Sequence, residues 1–233
     1  MVCEFTNATI EPLWSDISCR IEPGEFVAVL GPNGVGKSTL LRAILGTTAL
    51  TRGRVITEGN IGFIPQQRMF PTELPLRGRD VVSLALAHGM LRNRRADKRR
   101  VDALLKRVGA DFFADRRVGV LSGGQQQLIR QAQALANDPA LLLCDEPLLS
   151  LDYAMQRRTV DMLDRQRTEH GTAIVFVTHS INPILKVTDK ILYLGPTGHT
   201  FGPIEEVMTS ETLSKLYGTQ VDVLTIGDRV VVV

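Results

Sequence analysis

The 233-residue chain reads as an α/β protein built on a mainly parallel sheet. Three observations predict this. The apolar run Phe26–Leu30 passes through a glycine-rich stretch into a second apolar segment, 40–45. From Ala140 onward, buried strand, helix and buried strand follow one another at 141–144, Tyr153–His170 and Ala173–Val177. Apolar runs that alternate with helices are the pattern of parallel strands joined by crossovers. Between residues 68 and 120 the character changes, and Val101, Leu104, Leu105 and Val108 recur at helical spacing. That stretch is expected to be a helical insertion into the α/β core.

Taken in order, residues 1–30 suggest short strands, with Glu22-Pro23-Gly24-Glu25 as a turn before the first buried strand. The helix opening at Lys37 is expected to stop at Gly46. Short strands are expected at 54–57 and 61–64, around Glu58-Gly59-Asn60. Val81, Leu84 and Leu86 suggest a helix early in the insertion. Ser122 is a good cap for a helix over 125–136. At the end, 221–226 and 229–233 flank Gly227-Asp228, a hairpin signal. The closing valines would make a sticky edge unless packed or paired within the fold.

Composition narrows the class. A hydrophobic content of 44% can fill one large domain, or one domain with a subdomain. The 27 basic and 25 acidic side chains nearly balance, giving no reason to invoke nucleic acid. Cys3, Cys19 and Cys144 are odd in number and widely spaced, and Cys144 within its apolar run reads as a reduced core thiol. No apolar run approaches the ~20 residues needed to span a bilayer, and the first residues lack the pattern of an export signal. A cytosolic chain is expected, unless a partner holds it at a membrane. The basic run 92–100 reads as a solvated helix face, with anionic headgroups as a second possibility.

The chemistry is concentrated in three places. Gly31-Pro32-Asn33-Gly34-Val35-Gly36-Lys37-Ser38-Thr39 satisfies Gly-x4-Gly-Lys-Ser/Thr between a strand and a helix. Glycines allow backbone N–H groups to close around phosphate oxygens at the positive end of the new helix. Lys37 would reach the outer phosphates, and Ser38 would offer its hydroxyl to Mg²⁺. A second strand ends in Asp145-Glu146-Pro147, which puts carboxylates at the crevice where open α/β sheets bind ligands. Asp145 would hold Mg²⁺, and Glu146 could orient or deprotonate an attacking water. The third place is Leu121-Ser122-Gly123-Gly124-Gln125, whose paired glycines at a helix start make a second anion site. With one phosphate cradle already present, a second suggests reading phosphate on a nucleotide held by another subunit.

This ordered set resembles the ATP-binding-cassette (ABC) ATPases along almost the whole chain. Their phosphate loop matches Gly31 to Thr39, and their signature matches Leu121 to Gln125. Their magnesium Asp and catalytic Glu fall on Asp145 and Glu146. Their glutamine loop falls best on Gln66, with Gln67 adjacent. Their Asp-containing loop matches Ser150-Leu151-Asp152, and their switch histidine matches His179. The resemblance implies a P-loop NTPase fold of the ABC type, with a mainly parallel sheet core, an antiparallel β subdomain and a helical subdomain. It implies a single domain over 1–233, with the helical part inserted at about 68–138. ATP and Mg²⁺ are the implied cofactors. Ser38, Gln66 and Asp145 would surround the metal, and Glu146, His179 and Gln66 would serve catalysis. Gly31 to Thr39, Ser122 to Gln125 and Asp152 would meet nucleotide, Asp152 linking the two sites. One departure stands out: the family stacks an aromatic on adenine from a loop before the phosphate loop. Here Asn7-Ala-Thr-Ile-Glu-Pro-Leu13 contains none; Phe5 and Trp14 flank it, and Trp14 reads as core or interface.

In such ATPases two copies face head to tail, with each nucleotide between one chain's phosphate loop and the other's signature. A homodimer is therefore expected. A DNA-maintenance ATPase of this family would carry a long coiled coil before the signature, and no sustained heptads occur here. A ribosome-acting member usually carries two cassettes in one chain. Transport is the class that fits, with a separate permease, a substrate-binding protein acting indirectly, and a place on the cytoplasmic side of the cell membrane. The segments 74–81 and 213–224 look like the zinc/manganese importer branch, with an iron chelate, haem or cobalamin as the alternative cargo.

Overall fold

The computed structural model describes residues 1–66, 69–87, 96–149, 151–227 and 229–232. Gln67, Ser150, the turn residue Asp228 and the start of the basic run, 92–95, lie outside the described residues.

The chain opens with β1 (Cys3–Ile10) and β2 (Trp14–Ile21), then β3 (Phe26–Leu30) and α1 (Lys37–Ile44). The turn before β3 is closed by the Glu25 amide donating to the Glu22 carbonyl at 3.2 Å. Helix α1 ends where Gly46 adopts φ +68°. Next come β4 (Arg52–Thr57), β5 (Ile61–Ile64), α2 (Gly78–Leu86), α3 (Lys98–Arg107) and α4 (Gly123–Leu135). The C-terminal half runs β6 (Leu141–Asp145), α5 (Tyr153–His170), β7 (Ala173–Val177), β8 (Lys190–Gly195) and β9 (Gly198–Pro203). It closes with α6 (Ile204–Val207), α7 (Ser210–Tyr217), β10 (Val223–Ile226) and β11 (Arg229–Val232).

Six strands form the central sheet in the order β5-β6-β7-β3-β8-β9, parallel except for the last pair. Its middle strands are apolar at every position because both faces are covered. Alternate side chains then feed two cores. Phe26, Ala28, Leu142, Cys144, Ile174 and Phe176 point to the face carrying the helices α2 to α5. Val27, Val29, Leu141, Leu143, Val175 and Val177 point to the face carrying α1 and the antiparallel sheet β2-β1-β4. Phe26 and Phe176 meet at 5.6 Å between ring centroids.

Helices α2, α3 and α4 pack on one another beside the sheet. In α2 the buried side chains are Val81 and Val82, whereas Leu84, expected on the apolar face, is exposed. All three cysteines are free and buried, and burial pushes the Cys3 and Cys19 thiols up to about 12. Val230 to Val232 pair across β10 and β11, whereas Val233 lies outside the described residues, and only Val223 and Val230 of the hairpin pack on the core. Leu224, Ile226 and Val231, on the other face, remain exposed. A two-stranded ribbon has two faces, and period-two alternation can bury only one of them.

Candidate active site

The site lies at the C-terminal edge of the parallel strands, where the register brings four strand ends side by side. Ile64 pairs with Cys144, Asp145 pairs with Val177, and Val29 also pairs with Val177. Residues just beyond those pairs, namely Gln66, Asp145 with Glu146, His179 and the loop after Leu30, therefore share one crevice.

The loop 31–36 is shaped by glycines. Gly31, Gly34 and Gly36 have φ of +142°, +83° and +99°, values that disfavour side chains. At Gly31 a Cβ would lie 2.1 Å from the Leu194 carbonyl oxygen, so β8 forms a backbone floor. At Gly36, the residue capping α1, a Cβ would come within 3.0 Å of Trp14 Nε1 and 3.1 Å of the Leu13 side chain. Trp14 is thus buried beneath the loop, and its indole N–H has no acceptor among the described residues. It belongs to the core rather than to an exposed stacking surface. Leu13, Trp14 and the Leu194 carbonyl carry no local sequence signal for this role, since only tertiary contact brings them to the loop.

Lys37 is 7% exposed and donates from Nζ to the carbonyls of Gly31 at 2.8 Å and Pro32 at 2.9 Å. Burial lowers its ammonium pKa, opposed by the carboxylates of Glu146 and Asp145. Ser38 donates from Oγ to Asp145 Oδ1 at 3.0 Å. Asp145 is 8% exposed, and burial raises its carboxyl pKa against the Ser38 hydrogen bond. Glu146 turns out of the strand with φ +47°, a left-handed conformation rare for this residue type. Its amide donates to the Val177 carbonyl at 3.0 Å, tying the turn to β7. His179 Nδ1 lies 3.4 Å from Glu146 Oε2, an ion pair only when the imidazole is protonated. Backbone strain held at a carboxylate beside an imidazole is the kind that accumulates where chemistry occurs.

Gln66 is exposed and makes no hydrogen bond among the described residues, although it follows by two residues the end of β5, the strand next to β6. The remaining expected residues occupy a second cleft of about 580 Å³, whose lining includes Ser122, Gly123, Gly124, Gln125 and Asp152. None of its lining residues belongs to the phosphate loop. Ser122 caps α4 through a reciprocal pair: its Oγ accepts from the Gln125 amide at 3.3 Å, and Gln125 Oε1 accepts from the Ser122 amide at 3.1 Å. Asp152 caps α5, its Oδ1 accepting from the Met155 amide at 2.8 Å.

The oxygen donors Ser38 Oγ and Asp145 Oδ1, 3.0 Å apart and the latter on a buried carboxyl, suit a hard divalent cation such as Mg²⁺. The loop amides and Lys37 suit phosphate oxygens.

Residues 14–149 match the family model described as ABC transporter, and that span is more than half of the chain. The chain belongs to this family, and with it to the ATP-hydrolysing cassettes that bind ATP. Among its relatives are ATP-binding proteins of manganese transport and zinc import. It is 34% identical over 228 residues to the manganese transport system ATP-binding protein MntB of Halalkalibacterium halodurans, covering 94% of this chain and 91% of that protein. It is 37% identical over 208 residues to the zinc import ATP-binding protein ZnuC of Yersinia enterocolitica, covering 88% of this chain and 79% of that protein. Among solved structures, a chain of an inward-facing metal-chelate type ABC transporter superposes with a TM-score of 0.86 at 27% identity, covering 99% of this chain and 95% of that one. The dimeric cassette MJ0796 bound to ADP and phosphate gives 0.71 at 29% identity, covering 82% and 94%.

Proposed function

We propose that this chain powers a metal importer of the zinc or manganese type by hydrolysing Mg²⁺–ATP at the site built by Lys37, Ser38, Asp145, Glu146 and His179. The relatives in manganese and zinc transport support the cargo. The contact between Ser38 and Asp145 carries the site, because it joins the phosphate loop to the acidic strand end with two oxygen donors. An iron chelate, haem or cobalamin is the second reading of the cargo, favoured by the likeness to a metal-chelate type transporter. Among the described residues no helix is long and apolar enough to cross a membrane. The reading also includes a separate permease, with this subunit bound at the cytoplasmic face and a substrate-binding protein acting beyond the membrane. It also takes 1–233 as one ABC ATPase domain, with a helical subdomain at about 68–138.

In this mechanism the amides of Gly34 to Lys37 hold the phosphate oxygens, and the Lys37 ammonium moves from the Gly31 and Pro32 carbonyls to the outer phosphates. Ser38, Asp145 and Gln66 would ligate Mg²⁺, which when bound neutralises charge on the phosphate oxygens. Glu146 Oε2 accepts a proton from the attacking water, and His179, already beside that carboxylate, holds the terminal phosphate. Ser122, Gly123, Gly124 and Gln125 of a second copy close over the same phosphate, with Asp152 relating the two sites. Cleavage removes the shared contact and frees the copies, a population shift driven by the terminal phosphate.

Glu146→Gln tests the reading. Removing a general base costs roughly 10²–10⁴-fold in rate, so steady-state phosphate release should fall by at least a hundredfold while ATP binding persists. Turnover within a factor of two of the parent would refute the assignment.

A further inference from the structure

A groove of about 820 Å³ opens between α3, α4 and α5, and of its lining only Gln125 is also used for phosphate in the reaction above. We propose that it binds a small organic anion: an apolar body, a sulfonate-, carboxylate- or phosphate-type group, and a hydrogen-bonding N–H or O–H. Its volume lies in the range of small-molecule sites.

Its walls are apolar through Val108, Phe113, Leu128 and Met162. Its rim carries four cations, Lys106, Arg107, Arg158 and Arg165, against the two carboxylates Asp161 and Glu169. Among the described residues, none of these four cations makes an ion pair within 4.0 Å. Arg107 is nonetheless fixed in place. It donates to Gln166 Oε1 at 2.9 Å and contacts His170 Nε2 at 3.0 Å. Gln166 is buried and donates in turn to Thr172 Oγ1 at 2.9 Å, which donates to the Pro139 carbonyl at 2.8 Å. A guanidinium anchored to the core through uncharged acceptors keeps its charge for a ligand and is pre-organised to meet it.

The floor adds a second, independent feature. Gln131 is fully buried and lines the groove. Its Nε2 donates to Thr159 Oγ1 at 3.3 Å, and its Oε1 has no donor among the described residues. A buried carbonyl oxygen without a donor costs free energy until something supplies one; this oxygen is closed off from solvent, so a ligand N–H or O–H reaches it when the Gln131 amide turns toward the groove it lines. The apolar walls, the cationic rim and the free acceptor together specify an amphipathic anion with a donor.

The dye 8-anilinonaphthalene-1-sulfonate has those three features, and its emission reports binding. It would be titrated into the full chain without nucleotide, beside N-phenyl-1-naphthylamine, which has the same rings and N–H but no sulfonate. Saturation at one site per chain is expected, with at least tenfold weaker binding of the neutral dye. The exposed-residue variant R107Q/R165Q should weaken the anionic dye at least tenfold, and Q131L should weaken it by a smaller factor. Lys37→Ala should leave the affinity unchanged. Absence of saturable binding would overturn the proposal, and so would equal affinity for R107Q/R165Q and the parent. Loss of the site in Lys37→Ala would place the anion in the phosphate loop and overturn it too. Because no nucleotide is present, the outcome is independent of the ATPase assignment.

Discussion

Asp145 sits in an electrostatic conflict. Burial raises its carboxyl pKa, the Ser38 hydrogen bond lowers it, Glu146 raises it again, and Arg42 and Lys37 lower it. The net shift is upward, so the group favours the folded state below its unfolded pKa, and that contribution is lost as pH rises through the folded value. At neutral pH the buried charge works against folding unless a cation meets it. Without nucleotide, Asp145→Asn should therefore unfold at a higher temperature than the parent at pH 7. The gap should close as pH falls and the parent's carboxyl protonates. Thermal unfolding at several pH values checks this, and a lower midpoint for the variant at pH 7 would contradict it. With Mg²⁺–ATP added, the variant should gain less stability than the parent, since it has lost a metal ligand. The residue types at this site were legible in the sequence because each must be an oxygen donor or a cation. The conflict was not, since burial of Asp145 depends on the layers above it.

At the scale of elements, one cap and one glycine are informative. Asp152 both caps α5 and lies in the second cleft. Asp152→Ala should cost about 1 kcal/mol of stability, whereas Asp152→Ser should retain most of it. If the carboxylate also links two ATP sites, both variants should turn over ATP more slowly. A loss confined to the alanine variant would make Asp152 a cap alone. Gly31 meets the Leu194 carbonyl at a distance no Cβ tolerates. Gly31→Ala should destabilise by about 1–3 kcal/mol and weaken ATP binding with it, measurable by urea unfolding and nucleotide titration. The strand-loop-helix order around Gly31 was readable from glycine and apolar spacing. That Gly31 must clear β8 was not, because β8 begins 159 residues later in the chain. The terminal hairpin shows the same limit: alternation and Gly227 marked the ribbon, but only packing decided that Leu224 and Ile226 stay in solvent.

For the whole molecule, the division between the two clefts matters most. The cleft at Ser122 and Asp152 contains no phosphate-loop residue, so a chain that uses both on one nucleotide needs a second copy. Glu146→Gln with Mg²⁺–ATP should double the mass seen by light scattering, and adding Gly123→Arg, which fills the signature cleft, should restore the monomer. A Glu146→Gln protein that stays monomeric with saturating Mg²⁺–ATP would argue against the shared site.

The sequence by itself determined the chemistry that depends on neighbours along the chain. Glycines at the loop permit positive φ, Ser122 and Asp152 cap the helices that follow them, and carboxylates end an apolar strand. It also carried the parallel fold class, because strands buried on both faces must be apolar throughout. Tertiary structure decided what meets across distance. Ser38 and Asp145 are 107 residues apart and touch only because α1 packs over the face of the sheet to which β6 contributes Leu141 and Leu143. Trp14 left the surface because the antiparallel sheet closes beneath the loop at Gly36. Such contacts follow from strand order and layer packing, and no local pattern encodes either.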